Sequence, residues 1–153
     1  MRNLQLQQLN RSRLDALRPE EYLLRLEPMS LGRKKLAELE EGDWLDLGGE
    51  APRLEIARDG VRIAPAYPEE EGVRIGPPCE ESSRPEPGKK RVPIEGRLAI
   101  YSPHRLAPGE LVEFSWSFLE RIPLYAEGRY LATARLIRHE EGYALEILEL
   151  ADG

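Results

Sequence analysis

The strongest constraint on how this chain can fold is an internal repeat that relates its two halves. Three pairs of segments match in order: residues 39–45 with 106–112, residues 54–64 with 122–132 without a gap, and residues 70–75 with 140–145. Each match places acidic residues and a glycine beside apolar runs. A unit of roughly 60 residues is marginal alone, so the repeat predicts two copies that pack on each other.

The glycines of the repeat predict where the chain turns. Asp59-Gly60 and Glu127-Gly128 lie between apolar runs, where a tight hairpin needs the positive φ that glycine adopts at low cost. The acidic pairs before Gly72 and Gly142 predict a second, closing turn in each copy. Each copy is therefore expected to be a meander of short strands, and the protein to be mainly β.

The remaining segments divide the chain into four parts. A loose helical spacing of leucines predicts an amphipathic N-terminal helix within residues 1–19, and residues 20–75 form the first repeat domain. Residues 76–96 are rich in proline, glycine and charge, which is typical of a linker. Residues 97–153 form the second repeat domain.

Charge and composition limit the classes of partner. Hydrophobic residues make up 41% of the chain and charged residues 33%, as in folded soluble proteins. The net charge of −6 argues against nucleic acid or anionic lipid and favours protein partners. The sequence has no apolar run long enough for a secretory signal or a membrane span. We therefore expect a cytoplasmic protein. The single Cys79 allows no internal disulfide and no zinc cluster.

Residues that could carry chemistry are scarce. His104 and His139 are the only histidines, and both stand in short connections without a recognisable motif. The acidic runs at 40–41, 69–71 and 140–141 precede glycines, as solvated turns do. Phosphate-loop, dinucleotide-binding and zinc-protease motifs are absent from the sequence. We therefore expect no enzyme activity, no metal and no cofactor.

The aromatic run in residues 113–118 is the most unusual local feature. Strict alternation predicts a strand with Phe114, Trp116 and Phe118 on one face. That face could be core between the two copies, or an apolar patch that binds a partner. We take these three residues as the candidate partner-binding site. Trp44 lies in the strand that matches Leu111 and is expected to be core.

Two basic clusters flank predicted loops. They consist of Arg33, Lys34 and Lys35, and of Lys89, Lys90 and Arg91. Clusters of this kind are usually solubilising, and the net acidity of the chain argues against nucleic-acid contact.

The repeat unit resembles the SpoA (surface presentation of antigens) domain of the FliM and FliN flagellar switch proteins and the SctQ type III secretion ring proteins. The step from Leu36 through Leu39 and Gly42 into residues 44–47 is similar to the start of that domain. Residues 54–64 look like its hairpin and residues 71–75 like its closing strand, while the second copy runs from about 97 to 150. Pro65 and Pro68 depart from the pattern by interrupting the hairpin's second strand.

The resemblance implies both a fold and a function. Two tandem SpoA-like domains would form an intertwined pseudo-dimer without cofactor or catalysis. The protein would then be a non-enzymatic structural or adaptor subunit of a cytoplasmic ring or sorting complex, in a bacterial flagellar motor (C-ring) or in type III secretion. Its partners would be switch subunits, other export-apparatus proteins such as an export-ATPase regulator, or further copies of itself.

A second family remains open as an alternative. Residues 106–112, with a leucine, Pro-Gly, an acid and apolar alternation, are similar to the half-motif of AbrB-like swapped-hairpin transcription factors. Such a protein would bind DNA. A DNA binder must neutralise phosphates, and the net charge argues against it.

Overall fold

Strands make up most of the structure. The computed structural model describes residues 11–48, 52–79, 90–101 and 106–151. Within these ranges the chain forms one antiparallel sheet of 11 strands, two short α-helices and one 3₁₀ helix. The mainly β fold predicted from the glycine turns and apolar runs is confirmed.

The elements follow one another along the chain in a simple order. The helices are α1 Arg11–Asp15, α2 Arg33–Ala37 and the 3₁₀ helix Trp116–Glu120. The strands of the first half are β1 Tyr22–Leu26, β2 Met29–Gly32, β3 Trp44–Asp46, β4 Leu54–Arg58, β5 Val61–Glu69 and β6 Gly72–Ile75. Those of the second half are β7 Arg91–Tyr101, β8 Leu111–Val112, β9 Ile122–Ala126, β10 Arg129–His139 and β11 Gly142–Leu150.

The hairpins β4–β5 and β9–β10 share one register. Every facing pair in the first has its counterpart at the aligned position of the second, and a bulge interrupts both at the same place. The φ angles are 52° at Asp59 and 78° at Gly60, and 51° at Glu127 and 79° at Gly128. Positive φ at both turn residues is the signature of a type I′ hairpin. The positive φ predicted for the two glycines is confirmed.

Equivalent strands of the two halves occupy symmetric positions in the sheet, counted from its two ends. The order along the sheet is β3-β11-β10-β9-β7-β1-β4-β5-β6-β8, and β2 pairs beside β7. Exchanging β1 with β7, β3 with β8, β4 with β9, β5 with β10 and β6 with β11 reverses this order. Strand β3 of the first half pairs with β11 of the second, and β8 of the second pairs with β6 of the first. Each half thus completes the edge of the other.

The glycines that precede β3 and β8 occupy equivalent places. The Gly42 N–H donates to the Ile147 carbonyl at 2.8 Å, and the Gly109 N–H donates to the Ile75 carbonyl at 2.6 Å. Both glycines have positive φ, 90° and 83°. The alignment of these two turns in the sequence is therefore matched by their hydrogen bonds, and each turn joins one half to the closing strand of the other.

The closing turns do not correspond as the sequence alignment predicts. Ile75 in β6 and Ile147 in β11 face aligned alanines of β5 and β10. Gly72 therefore corresponds to Ala144, and its alignment with Gly142 is wrong. The reason is that the hairpin β10–β11 is longer than β5–β6, so the same acid-acid-glycine turn lies further from the centre.

The linker predicted over residues 76–96 overlaps regular structure. Strand β7 begins at Arg91, and residues 91–94 pair with β2, a strand that the sequence analysis did not predict. At the other end the Gly76 N–H donates to the Pro65 carbonyl at 2.9 Å and continues the pairing with β5. Pro93 and Gly96, within the predicted linker, lie in β7, where Pro93 faces Ser30 of β2 and Gly96 faces Leu124 of β9. Residues 80–89 lie outside the described part of the chain.

Two prolines do not interrupt β5 as expected. The strand runs from Val61 to Glu69 through Pro65 and Pro68. Proline lacks a donor, but its carbonyl still accepts, as the bond from Gly76 to Pro65 shows. The hairpin therefore continues in the first half as it does in the second.

One hydrophobic core joins the two halves. Its fully buried members include Leu24, Ile56 and Val73 from the first half, and Leu98, Val112, Ile122, Leu124 and Leu145 from the second. A smaller cluster holds α1 against the sheet and consists of Leu14, Leu23, Ile100 and Tyr125. Of the helix predicted within residues 1–19, the structure forms α1 over Arg11–Asp15, residues 16–19 are not helical, and residues 1–10 lie outside the described residues.

Candidate partner-binding surface

The strand predicted over the aromatic run is wrong. After β8 the chain leaves the sheet and forms the 3₁₀ helix Trp116–Glu120. Ser115 starts this helix, because its hydroxyl accepts a hydrogen bond from the Ser117 N–H. Alternating aromatics and serines predict a strand, but serine side chains also compete for nearby backbone N–H groups and favour helix starts.

The three aromatic rings still meet, around Phe114. The Phe114 ring is edge-on to Trp116 with centroids 5.3 Å apart, and edge-on to Phe118 at 5.5 Å. Phe114 is only 8% exposed, whereas Trp116 is 43% exposed. Phe118 is partly buried against the main core. The aromatic group, as we call Phe114, Trp116 and Phe118, thus has a buried base and an exposed indole.

A buried tyrosine holds the segment before the aromatic group. The Tyr101 hydroxyl donates to the Glu113 carbonyl at 2.7 Å. Tyr101 is fully buried, and this burial raises the pKa of its hydroxyl above the ordinary value, with a smaller contribution from the nearby Glu113 carboxylate. The hydrogen bond connects the end of β7 to the segment that follows β8. It therefore fixes the backbone directly before Phe114.

An open groove of about 730 Å³ lies beside the aromatic group. Ser117 and Phe118 form part of its wall, together with Arg97 and Tyr130 on neighbouring strands and Arg121 directly before β9. The Arg121 guanidinium is paired with the Glu149 carboxylate at its rim. Exposed aromatic side chains bordered by polar groups are common in protein-binding surfaces.

Trp44 is not core, contrary to the sequence prediction. Its side chain is 52% exposed, and its indole stacks on the His139 ring with centroids 5.6 Å apart. The inward position of β3 belongs to Leu45, which is 1% exposed. A two-residue periodicity cannot say which residues of such a short strand point inward, because Trp44 and Leu45 are both apolar.

His139 differs from the solvated loop residue that the sequence predicts. His139 ends β10, accepts a hydrogen bond from the Glu141 N–H at 3.2 Å through Nδ1, and stacks on Trp44. Its Nε2 lies 3.7 Å from Asp46 Oδ1. These contacts fix β3 against the β10–β11 turn. His104 lies outside the described residues.

The acidic residues do not converge on a site. In the described part of the chain, no group of His, Cys, Asp or Glu side chains could hold a metal ion. Glu69 is instead bound by the Arg74 guanidinium at 2.6 Å, and this hydrogen bond lowers the pKa of the exposed carboxyl. The acidic run 69–71 is thus part of a turn with one ion pair.

A buried ionic cluster at the centre of the sheet was not anticipated from the sequence. The Arg25 guanidinium donates to Glu55 at 2.8 Å and to Glu95 at 2.6 Å, and Arg97 binds the other oxygen of Glu95 at 2.6 Å. Arg25 and Arg97 face each other where β1 meets β7. The one sequence signal is an arginine inside the apolar run of β1. Because each carboxylate is held by arginine, we assign the cluster a structural role.

No protein-family model matches this sequence, and no curated protein matches it either. Among the described residues, no helix has the length and apolar character needed to cross a membrane.

Proposed function

We propose that this chain is a non-enzymatic structural or adaptor subunit of the SpoA type. It acts through protein-protein contacts in a cytoplasmic ring or sorting complex of a bacterial flagellar motor or type III secretion system. In this proposal the two halves are SpoA-like domains that form an intertwined pseudo-dimer within one chain.

The observation that carries the proposal is the reciprocal exchange of β3 and β8. The resemblance implies intertwined pairing of two domains, and here each half supplies an edge strand to the closing strand of the other. The equal registers of β4–β5 and β9–β10 support a duplicated unit as the basis of this exchange. Both features concern assembly rather than catalysis.

The aromatic group supplies a surface for a partner in this proposal. Trp116 is exposed and Phe114, which it contacts edge-on, is buried, while Phe118 lines the groove. Exposed aromatic side chains on a rigid base commonly dominate binding energy. A helix or strand of another ring or export protein would cover Trp116.

Replacing Trp116 by alanine tests this surface. We expect Trp116→Ala to lower the free energy of unfolding by no more than about 1.5 kcal/mol, the worth of its edge contact with Phe114. Binding to the native partner should weaken by about 2 kcal/mol or more. Tyr67→Ala is the matched control, because Tyr67 is 53% exposed and lies on β5, away from the groove. A Trp116→Ala variant that melts and binds like the parent would contradict the assignment.

The functional class is tested by isolating the tagged chain from its native cytoplasm after cross-linking. The proposal predicts that mass spectrometry finds flagellar or secretion ring and export proteins with the parent and with Tyr67→Ala, and that Trp116→Ala loses them. Their absence from the parent sample would contradict the proposal. A salt-sensitive gel shift with duplex DNA would instead favour the AbrB-like alternative.

A further inference from the structure

Two arginines meet at the centre of the sheet, where one half joins the other. Arg25 on β1 of the first half faces Arg97 on β7 of the second half. The two occupy equivalent positions of the repeat, because the residue before each one faces an aligned residue of β4 or β9. The pair therefore marks the pseudo-twofold axis that exchanges the two halves.

The carboxylates around the two arginines are not arranged symmetrically. Arg25 donates to Glu55 of its own half at 2.8 Å and to Glu95 of the second half at 2.6 Å. The other Glu95 oxygen accepts from Arg97 at 2.6 Å. Leu23 is the first-half residue equivalent to Glu95, because each lies two positions before its arginine. Arg25 thus takes its second carboxylate from the other half.

Pairing of two first halves would leave Arg25 with too few acceptors. Its side chain is only 3% exposed, so little solvent reaches it. In such a pair Arg25 would face a second Arg25, and Leu23 would stand where Glu95 now accepts. A buried donor without an acceptor costs more than a formed hydrogen bond contributes, and a buried charge that loses a partner is strongly destabilising. The cluster therefore opposes contact between the first halves of two copies.

Helix α1 makes a second contact that only the second half offers. It precedes the first repeat domain in the chain, yet its Asp15 carboxylate accepts a hydrogen bond from the Tyr125 hydroxyl on β9. Leu14 of α1 is buried in one cluster with Tyr125. Ala57 is the first-half residue aligned with Tyr125, and alanine has neither the ring nor the hydroxyl. A first half in place of the second would remove this contact.

We propose that Glu95 and Tyr125 select the second half as the partner of the first. Leu23 and Ala57, the equivalent residues of the first half, cannot make the same contacts. Two second halves would keep both Glu95 carboxylates, so the selection acts through what Arg25 and α1 require. A first half therefore pairs with a second half and not with the first half of another copy. This selection does not depend on the proposed ring function.

A disulfide between two copies detects pairing of their first halves. In such a pair, β3 of one copy replaces β8, so Trp44 of that copy faces Arg74 of the other, as Leu111 faces Arg74 now. The reporter chain is the full chain with Cys79→Ser, Trp44→Cys and Arg74→Cys. Isotopically light and heavy copies are mixed in urea, refolded and oxidised, and mass spectrometry measures the 44–74 peptide that joins a light to a heavy copy. The reporter chain should give almost none.

Glu95→Leu with Tyr125→Ala places first-half residues in the second half of the reporter chain. Refolding is done at about 1 mM, which is comparable to the effective concentration of tethered modules. The light–heavy peptide should rise at least about 5-fold, because a mixed pair then lacks the same contacts as a pair of first halves. Leu124→Ala is the matched control, since it removes a fully buried second-half side chain outside both contacts. It should leave the amount within about 2-fold.

Equal amounts of the light–heavy peptide from the reporter chain and the double variant would overturn the proposal. An equal rise with Leu124→Ala would also overturn it, because lower stability alone would then permit the exchange. If circular dichroism shows that the double variant does not refold, Glu95→Leu alone is measured. A rise of at least about 3-fold is expected from this single change, and no rise would contradict the role of Glu95.

Discussion

Gly128 illustrates how single residues set the hairpins of this protein. Its φ is 79°, and a Cβ built on it would meet no atom within 4 Å. A side chain there is therefore opposed by the backbone conformation alone and not by crowding. The acid-glycine pair between two apolar runs carries this information in the sequence, which is why the turn could be predicted.

Substitution of Gly128 separates conformational strain from packing. Gly128→Val should lower the free energy of unfolding by about 1–3 kcal/mol, since a β-branched residue is disfavoured at positive φ. Gly128→Asn should cost less, because asparagine tolerates this region. Urea unfolding of the two variants measures the difference. Equal stability of Gly128→Val and the parent would contradict the requirement for glycine at this turn position.

The buried hydroxyl of Tyr101 predicts loss of stability at high pH. Burial raises its pKa in the folded state above the value of about 10 for an exposed tyrosine. Stability is thus unaffected by this group below about pH 10 and falls as the pH rises further, by about 1.4 kcal/mol per pH unit. Tyr125 contributes in the same direction, because burial and its hydrogen bond to Asp15 raise its pKa.

Tyr101→Phe should remove part of the loss of stability at high pH. The variant loses about 1 kcal/mol at pH 7 with the hydrogen bond to Glu113, and its stability should fall less steeply between pH 10 and 11. Urea titrations at pH 7, 10 and 11 measure both effects, with the exposed Tyr67→Phe as control. Parallel curves for Tyr101→Phe and the parent above pH 10 would show that the hydroxyl does not stay protonated in the fold.

At the scale of elements, the sequence predicts hairpins better than it predicts edges. The hairpin β4–β5 depends on local signals, namely alternation and a turn pair, and its position was anticipated. Strand β2 and the start of β7 at Arg91 form by pairing with each other. Such a pairing between distant segments leaves no local pattern in the sequence of either one. The 3₁₀ helix at Trp116 replaced a predicted strand because Ser115 caps it.

Gly72 tests the fit of β8 on β6. A Cβ on Gly72 would lie 2.1 Å from the Val112 carbonyl oxygen, so Gly72→Ala must displace β8. We expect a loss of about 1–3 kcal/mol from overpacking. Gly32→Ala is the matched control, because its nearest atom would be 3.8 Å away, and it should change stability by less than about 0.5 kcal/mol. Thermal melts that give equal losses for the two variants would contradict this contact.

At the scale of the whole molecule, the central feature is the exchange of edge strands between the halves. The repeat in the sequence predicted two similar units and their contact. It could not say that β3 leaves its own half, because an exchanged strand and a retained one have the same sequence. The pairing of Leu45 with Leu145, both buried, decides this in the structure.

An engineered disulfide measures the exchange directly. Trp44 faces Glu146 on β11, in a pair without mutual hydrogen bonds, whose short Cα separation suits a disulfide. If β3 stayed in its own half, Trp44 would instead face Arg74, as Leu111 does now. In a Cys79→Ser background, oxidised Trp44→Cys/Glu146→Cys should give the cross-linked peptide by mass spectrometry, and Trp44→Cys/Arg74→Cys should not. A cross-link in the second variant and none in the first would contradict the interleaved fold.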